Sequence, residues 1–185
     1  MDFPNLESER LTYRKFSQDD FSAVFDWLNN AENMKFRFDG TKDESGVRGY
    51  LNWAIDTATA DNRTNYEYAV CLKTNNELIG SATVLGLGTE PEIGWLVHRK
   101  YWRQGYGTEI GATLLKFCFE VLKLRRVIAG CHAENHGSYG IMVKIGMRRE
   151  AHFVKSRPYG NSPNGPWHDV YKYAMLAEEW RNKWN

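Results

Sequence analysis

Cysteine is scarce. The 185 residues hold three, Cys71, Cys118 and Cys131, at spacings of 47 and 13. Neither spacing is that of a CxxC pair or a zinc knuckle, and the odd count leaves a disulfide frame without support. The three read as small buried hydrophobes of a reduced compartment. No run approaches 18 apolar residues, so no membrane-spanning helix is expected. The start, Met-Asp-Phe-Pro-Asn-Leu-Glu, lacks the basic flank and apolar core of a secretory signal, and the expected location is cytoplasmic. An excess of one charge is also missing: 24 Lys+Arg stand against 23 Asp+Glu, a net +1. A protein living on a phosphate backbone usually shows a clear basic excess, so nucleic acid is not an expected partner. Five histidines are present (His98, His132, His136, His152 and His168), but no pair has a metal spacing with a third ligand, and no metal is expected.

What is present is a globular composition. Hydrophobic residues make up 42% and charged residues 25%, and 7 Trp, 10 Tyr and 9 Phe supply surface to bury. The length suits one domain spanning residues 1–185, with no internal repeat or linker. Alternation predicts a strand over Leu11–Phe16. Ser17 and Asp20 form a capping box ahead of a helix whose stripe is Phe21, Val24, Phe25 and Leu28, ended at Asn29-Asn30. A second helix is predicted over about Glu44–Ala60. A hairpin follows, Tyr66–Leu72 and Leu78–Leu85 about the turn Thr74-Asn75-Asn76, then a strand over Glu92–Val97. The strongest helix runs from Gly107 to Leu122, with Ile110, Leu114, Phe117 and Val121 on one face. A strand at Arg126–His132, a helix at Ser138–Ile145 stopped by Gly146, and strands at Arg148–Val154 and Asp169–Leu176 complete the chain. Between the last two lies a loop, Arg157–Trp167, rich in Gly, Pro and Asn. The pattern is α/β, with a right-handed strand–helix–strand crossover from Glu92 to His132.

The segment richest in chemistry is Glu92-Ile-Gly-Trp-Leu-Val-His-Arg-Lys-Tyr-Trp-Arg-Gln-Gly-Tyr-Gly-Thr-Glu109. A strand feeds a glycine loop that opens the longest helix. Gly105 and Gly107 let backbone approach a ligand, and the helix start offers unpaired N–H groups and the positive dipole end, an anion site suited to phosphate. Arg103 adds charge at the rim. Taken alone, two glycines before a helix are equally what a tight strand-to-helix turn needs. No Gly-Lys-Ser/Thr exists for a Walker loop. A dinucleotide fingerprint also fails: the third glycine, Gly111, falls one position late, and Arg125 and Arg126 stand where a ribose-binding acid belongs.

Arg103-Gln104-Gly105-Tyr106-Gly107-Thr108 resembles the acetyl-coenzyme A pyrophosphate loop of the GCN5-related N-acetyltransferases. Glu92-Ile-Gly-Trp95 resembles their fourth strand, and Asn135-His-Gly-Ser138 with Lys144-Ile-Gly-Met147 resembles their Asn-x-x-Ser…Lys-x-Gly-Phe segment. The start Leu6–Phe16 and the end Asp169–Leu176 with Glu179-Trp180 are similar to the RimJ/RimL-like branch that acts on ribosomal-protein N-termini. The resemblance covers nearly the whole chain. It implies a central mixed, mostly antiparallel sheet of about seven strands with flanking helices, splayed between the strands at 92–97 and 126–132. It implies acetyl-coenzyme A as cosubstrate, without metal. Backbone groups of Trp95, Leu96 and Val97 would pair with the pantetheine arm. Amides of Arg103, Gln104, Gly105, Tyr106, Gly107 and Thr108 would hold the pyrophosphate, and Asn135 would contact the arm.

An amine must be neutral to attack a thioester, so a base helps. Glu92 is the carboxylate inside the predicted central strand, and its expected role is to take the proton through water. A free backbone N–H near Trp95 or Leu96 would stabilise the oxyanion. Two positions depart from the family pattern: Trp102 replaces the usual Arg or Gln three residues before the first glycine, and Met142 replaces the tyrosine that commonly serves as general acid. Ser138 is the best substitute donor, with Tyr139 next. His98 and His132 end the splayed strands. Lys123-Leu-Arg-Arg126 could meet the ribose 3′-phosphate. Lys35–Gly40 and Arg157–Asp169 would flank the amine site with Phe36, Phe38, Tyr159, Trp167, Arg37, Asp39 and Asp169. The expected acceptor is a protein N-terminal α-amine; alternatives are a small amine such as a polyamine, aminoglycoside or amino acid, or coenzyme A binding without catalysis. Family members occur as monomers and homodimers.

Overall fold

The computed structural model describes residues 3–158 and 165–184. Its centre is an eight-stranded sheet in the order β1-β2-β3-β4-β5-β6-β8-β7. The strands are β1 (Leu6–Glu7), β2 (Leu11–Arg14), β3 (Tyr66–Leu72), β4 (Leu78–Leu85), β5 (Glu92–Val97), β6 (Arg126–His132), β7 (Arg148–Pro158) and β8 (Trp167–Leu176). Every neighbouring pair is antiparallel except β5 and β6, which are parallel and share the single register pair Glu92↔Ile128. Beyond that pair the two strands diverge, so the sheet splays at its middle.

Helices cover both faces. α1 (Phe21–Leu28), α2 (Ala31–Met34) and α3 (Glu44–Thr59) lie on one side. Val24, Trp27, Leu28, Met34, Val47, Leu51 and Ala54 form a core there against Ala69, with Leu96 packed onto it. The other face carries the larger core. α4 (Tyr106–Lys116) places Ile110, Leu114 and Leu115 against Tyr68, Val84, Ile93 and Val127, and α5 (His136–Lys144) adds Met142. Trp180 of α6 (Ala177–Trp184) closes the end of that core. Burial of such aromatic and aliphatic side chains contributes roughly 1.5–3 kcal/mol each.

The capping box forms: the Ser17 N–H donates to Asp20 Oδ2 at 2.9 Å, opening a short 3-10 turn that runs into α1. α3 is capped by Asp43, whose Oδ1 accepts from Gly46 N–H at 2.8 Å.

Several boundaries differ from expectation. β1, α2 and α6 are additional, so the sheet has eight strands rather than about seven. The first long strand ends at Arg14, and Phe16 turns into the α1–α3 core. In α1 it is Trp27, with Val24 and Leu28, that is buried; Phe21 and Phe25 stack on each other at 5.9 Å at the core's margin. α4 ends at Lys116 and the chain continues as a wider π turn over Phe117–Val121, which rotates Val121 out to solvent. α5 begins at His136 because Asn135, not Ser138, is its cap. The last hairpin is longer than predicted: Arg157 pairs with His168 and Pro158 with Trp167, so both ends of the expected loop are strand. Tyr159 and the rest of 159–164 lie outside the described residues.

Candidate active site

The loop between β5 and α4 is built to present amides. Arg103 (φ +62°) and Gly105 (φ +86°) both take left-handed backbone. A glycine adopts this freely, whereas Arg103 is strained, and the loop is held by outside contacts. The first helical bond of α4 runs from Glu109 N–H to Gly105 O at 3.1 Å. The amides of Tyr106, Gly107 and Thr108 therefore have no carbonyl ahead of them in the helix. Gly107 also has a packing reason, since a Cβ there would lie 2.5 Å from Ile141 Cδ1 of α5.

The clamp on this loop comes from the β1–β2 turn. Arg10 Nε donates to Glu109 Oε2 at 2.7 Å, Arg10 Nη1 donates to Gln104 O at 3.0 Å, and the guanidinium lies 4.3 Å over the Tyr106 ring. Glu109 Oε1 also accepts from Ser8 Oγ and from Arg10 N–H, each at 2.7 Å. Burial alone would raise the Glu109 carboxyl, but these donors hold it below the usual glutamate value. The whole arrangement fixes an acidic residue in the first turn of α4, where the dipole favours it.

The splay supplies a second set of donors and acceptors. Val97 faces Gly80, and His98 N–H donates to Ile79 O at 2.8 Å. In an antiparallel ladder this phase makes Val97–Gly80 and Trp95–Ala82 the non-hydrogen-bonded pairs. The backbone N–H and C=O of Trp95 and Val97 therefore turn away from β4, towards β6. Leu96 pairs with Ser81 and turns its backbone the other way. Trp102 donates its indole Nε1–H to Val97 O at 2.7 Å. The open backbone groups in the splay thus narrow to the N–H and C=O of Trp95 and the N–H of Val97.

A cavity of about 610 Å³ joins the loop, the splay and α5. Its wall includes Trp95, Leu96, Val97, Arg103, Gly105, Tyr106, Gly107, Thr108, Asn135 and Ser138, ten of the residues expected from the sequence. Gln104 is not among them; its side chain donates back to Lys100 O at 3.0 Å. Asn135 caps α5, its Oδ1 accepting from Ser138 N–H at 3.0 Å, which leaves its amide nitrogen for the cavity. The Ser138 hydroxyl lies by the Cys131 thiol, which burial pushes up to about 11 against the hydroxyl's opposing effect. Met142 is buried in the core, away from the wall.

Glu92 stands elsewhere. It sits where the splay closes, outside the cavity wall, and its Oε2 accepts from Lys172 Nζ at 3.1 Å. Gly130 makes room for this pair: a Cβ there would lie 3.2 Å from Glu92 Oε1. The Glu92 side chain is 40% exposed. By strand alternation it shares its sheet face with Leu96, the face that also carries α1–α3.

On that same face the open end of the splay is aromatic. The His132 ring lies 5.5 Å from Phe36, 5.8 Å from Phe38 and 4.5 Å from His168, and Arg157 lies 5.7 Å over Phe38. Burial, then the nearby His168, holds His132 below the usual histidine value. Its Nδ1 accepts from Glu134 N–H at 3.1 Å, which assigns the neutral ring's proton to Nε2. The two acids expected to flank the amine site are both engaged. Asp39 pairs with Arg37 at 3.1 Å and Lys42 at 3.0 Å, and Asp169 with His152 at 2.6 Å. His98 is tied to Asp26 at 3.0 Å, and Arg126 to Glu150 at 2.6 Å and Glu90 at 3.3 Å; none of these lies in the wall, so Arg126 of the basic cluster at 123–126 is spent on carboxylates. Sequence reasoning missed Asn33, which lines the cavity, and Arg10, which clamps the loop; their contacts reach 66 and 99 residues along the chain.

The residues present fit the expected coenzyme: unpaired helix-start amides for a pyrophosphate, splay-facing backbone groups for an extended amide-bearing arm, and cations Arg103 and Lys144 in the wall. Among the described residues no group of three or more His, Cys, Asp or Glu could hold a metal, and no helix is long and apolar enough to cross a membrane.

A family model described as an acetyltransferase (GNAT) domain matches residues 10–148. An uncharacterized N-acetyltransferase of Bacillus subtilis, YnaD, is 34% identical over 178 residues, 95% of this chain and 99% of its own. The crystal structure of a GNAT-family acetyltransferase from Bacillus anthracis superposes with a TM-score of 0.82 at 36% identity, covering 95% of this chain and 100% of that one. A spermidine N-acetyltransferase from Vibrio cholerae, solved with CoA and spermine, superposes at 0.78 over 95% of this chain and 100% of its own; at 18% identity that likeness speaks to fold alone. Because the match runs through both splayed strands and the loop between them, the chain belongs to the GNAT acetyltransferase family, whose members draw the acetyl group from acetyl-coenzyme A.

Proposed function

We propose that this acetyltransferase modifies an N-terminal α-amine of a protein or peptide. The observation carrying this reading is the charge of the cavity wall. It contains Arg37, Arg103 and Lys144 and no carboxylate. A polyamine needs unpaired acids to hold its ammonium groups, and at the mouth Asp39 is already paired with Arg37 and Lys42 and Asp169 is already hydrogen-bonded to His152. An α-amine has a pKa near 7.7–8.0, so about a tenth is neutral at pH 7; a lysine amine near 10.4 is neutral in fewer than about one molecule in a thousand. A wall without a base in direct reach suits the first.

Acetyl-coenzyme A supplies the acetyl carbon already activated as a thioester. The amine nitrogen bonds to that carbon as the carbon–sulfur bond breaks. The Trp95 N–H, turned into the splay, is the donor for the developing oxyanion. Glu92 is three residues back along β5, about 10 Å at 3.3 Å per residue, so it takes the amine's proton through water. Lys172 holds its carboxylate in place. Ser138, in the wall at the start of α5, gives a proton to the departing sulfur.

Thiol release from acetyl-coenzyme A tests this with peptides bearing Ala, Ser or Met N-termini, spermidine, an aminoglycoside and free amino acids. Peptides are expected to give the highest kcat/KM. Faster turnover of spermidine or another small amine overturns the acceptor assignment.

A further inference from the structure

Four buried side-chain polar atoms among the described residues have no hydrogen-bond partner, and one of them, Asn33 Nδ2, belongs to a residue of the cavity wall. Asn33 is only 5% exposed. Its Oδ1 accepts from Arg99 N–H at 2.6 Å, just beyond the end of β5. That bond fixes the amide's orientation, because an amide turned over would set its NH₂ against the Arg99 N–H. Leaving Nδ2 closed off and unpaired is unfavourable, and a buried donor of this kind calls for a partner.

We propose that Asn33 Nδ2 donates to the carbonyl oxygen next to the acceptor's amine. Three observations choose the acceptor over the coenzyme as the source of that oxygen. Asn33 belongs to α2, on the sheet face opposite α4 and α5, whose amides and cap serve the coenzyme. Its neighbours in the wall from the same segment are Phe36 and Arg37, which border the aromatic mouth at His132. The wall near Asn33 offers donors and a cation but no carboxylate, so it calls for an oxygen and not for an ammonium group. A peptide N-terminus carries its amine and its first carbonyl on one α-carbon. Gripping that carbonyl would orient the amine towards the Trp95 end of the splay. The inference rests on the α-amine reading above and adds the group that distinguishes a peptide from a bare amine.

The test uses Asn33→Asp, which keeps the oxygen for Arg99 N–H and replaces only the donor, beside Asn33→Ala, which adds no charge. The peptide KM is expected to rise about tenfold in both, the effect of one buried hydrogen bond. The coenzyme A Kd by calorimetry should stay within about twofold of wild type, as should kcat. An amino alcohol matching the peptide's first residue but lacking its carbonyl should be acetylated equally by wild type and variants. An unchanged peptide KM overturns the proposal. So does a coenzyme A Kd weakened by the same factor, which would give the oxygen to the coenzyme, or a fall in kcat at constant KM, which would give it to the thioester. If the wild type turns over no peptide while binding coenzyme A, the α-amine reading falls and this inference falls with it; the preceding outcomes overturn this inference alone.

Discussion

Replacing Glu92 by Gln should lower kcat/KM at pH 7 by about 100-fold, the low end of what a positioned base contributes. The pH profile should change as well. Without the base, the rate should follow the free amine and climb with pH towards the α-amine pKa near 8. Equal profiles for wild type and variant would remove Glu92 from the reaction. Ser138→Ala should lower kcat by about tenfold or more while leaving the coenzyme A Kd in place, since its backbone N–H still reaches the Asn135 cap. An unchanged kcat would leave the sulfur to be protonated by water. The residues named from the sequence are those whose signal is local. Asn135 and Ser138 sit three apart at a helix start, and Gly105 and Gly107 flank the start of α4, short-range patterns that carry the family resemblance, and all four line the cavity. Asn33 and Arg10 carry no such pattern. Each acts on a backbone group or carboxylate distant in sequence, and only the fold brings the two together.

Strand and helix positions were largely legible because hydrophobic spacing dictates them; β3, β4, β5 and β6 occupy the predicted ranges. The misses have physical causes. β1 and α2 are too short to show a period, and the π turn after Lys116 has no sequence mark. The sequence marks the N-terminus of α4 as a candidate anion site, but it carries no mark of the Arg10 clamp. Arg10→Ala should weaken coenzyme A binding about fivefold, by freeing the Gln104 carbonyl and Glu109, with the effect limited by the arginine's exposure. Unaltered affinity by calorimetry would show that the loop holds itself. β3 carries a different burden. Glu67 is fully buried and accepts from Tyr50 Oη of α3 at 2.5 Å. Burial raises its carboxyl above the usual value, despite the opposing hydrogen bonds and Arg37. A carboxyl whose folded pKa is raised removes stability as pH climbs from its unfolded value, near 4.3, towards the folded one. Glu67→Gln should therefore flatten the fall in stability between pH 5 and pH 8, at about 1.4 kcal/mol for each tenfold difference in proton affinity. Denaturant melts at the two pH values read this directly, and identical slopes would mean that Glu67 is ionised at little cost.

At the scale of the molecule, the sheet is two sheets joined at one point. β1–β5 form one ladder and β6, β8 and β7 another, and between them stands only Glu92↔Ile128. The packing of α4 against β5 and of α5 against α4 supports the junction from one side. The open backbone groups of Trp95 and Val97 are then a sheet edge in the middle of the protein. An unpaired edge attracts an extended partner, and the arm of the coenzyme has amides to offer it. Binding should bridge the two ladders and stabilise the whole chain. A ligand at 100 times its Kd contributes about 2.7 kcal/mol, which for a chain of this length is a rise of about 5–10 °C in Tm. The register makes this prediction residue-specific. The Leu96 amide faces β4 and should exchange slowly with or without coenzyme A. The Trp95 and Val97 amides face the splay and should exchange quickly in the free protein and slow down on binding. Hydrogen exchange with and without saturating coenzyme A separates the cases. If Leu96 is the amide that gains protection, the ladder is shifted by one residue and the assignment of the oxyanion donor to Trp95 is wrong. If none of the three responds while Tm rises, the arm lies elsewhere, and the splay is not its seat.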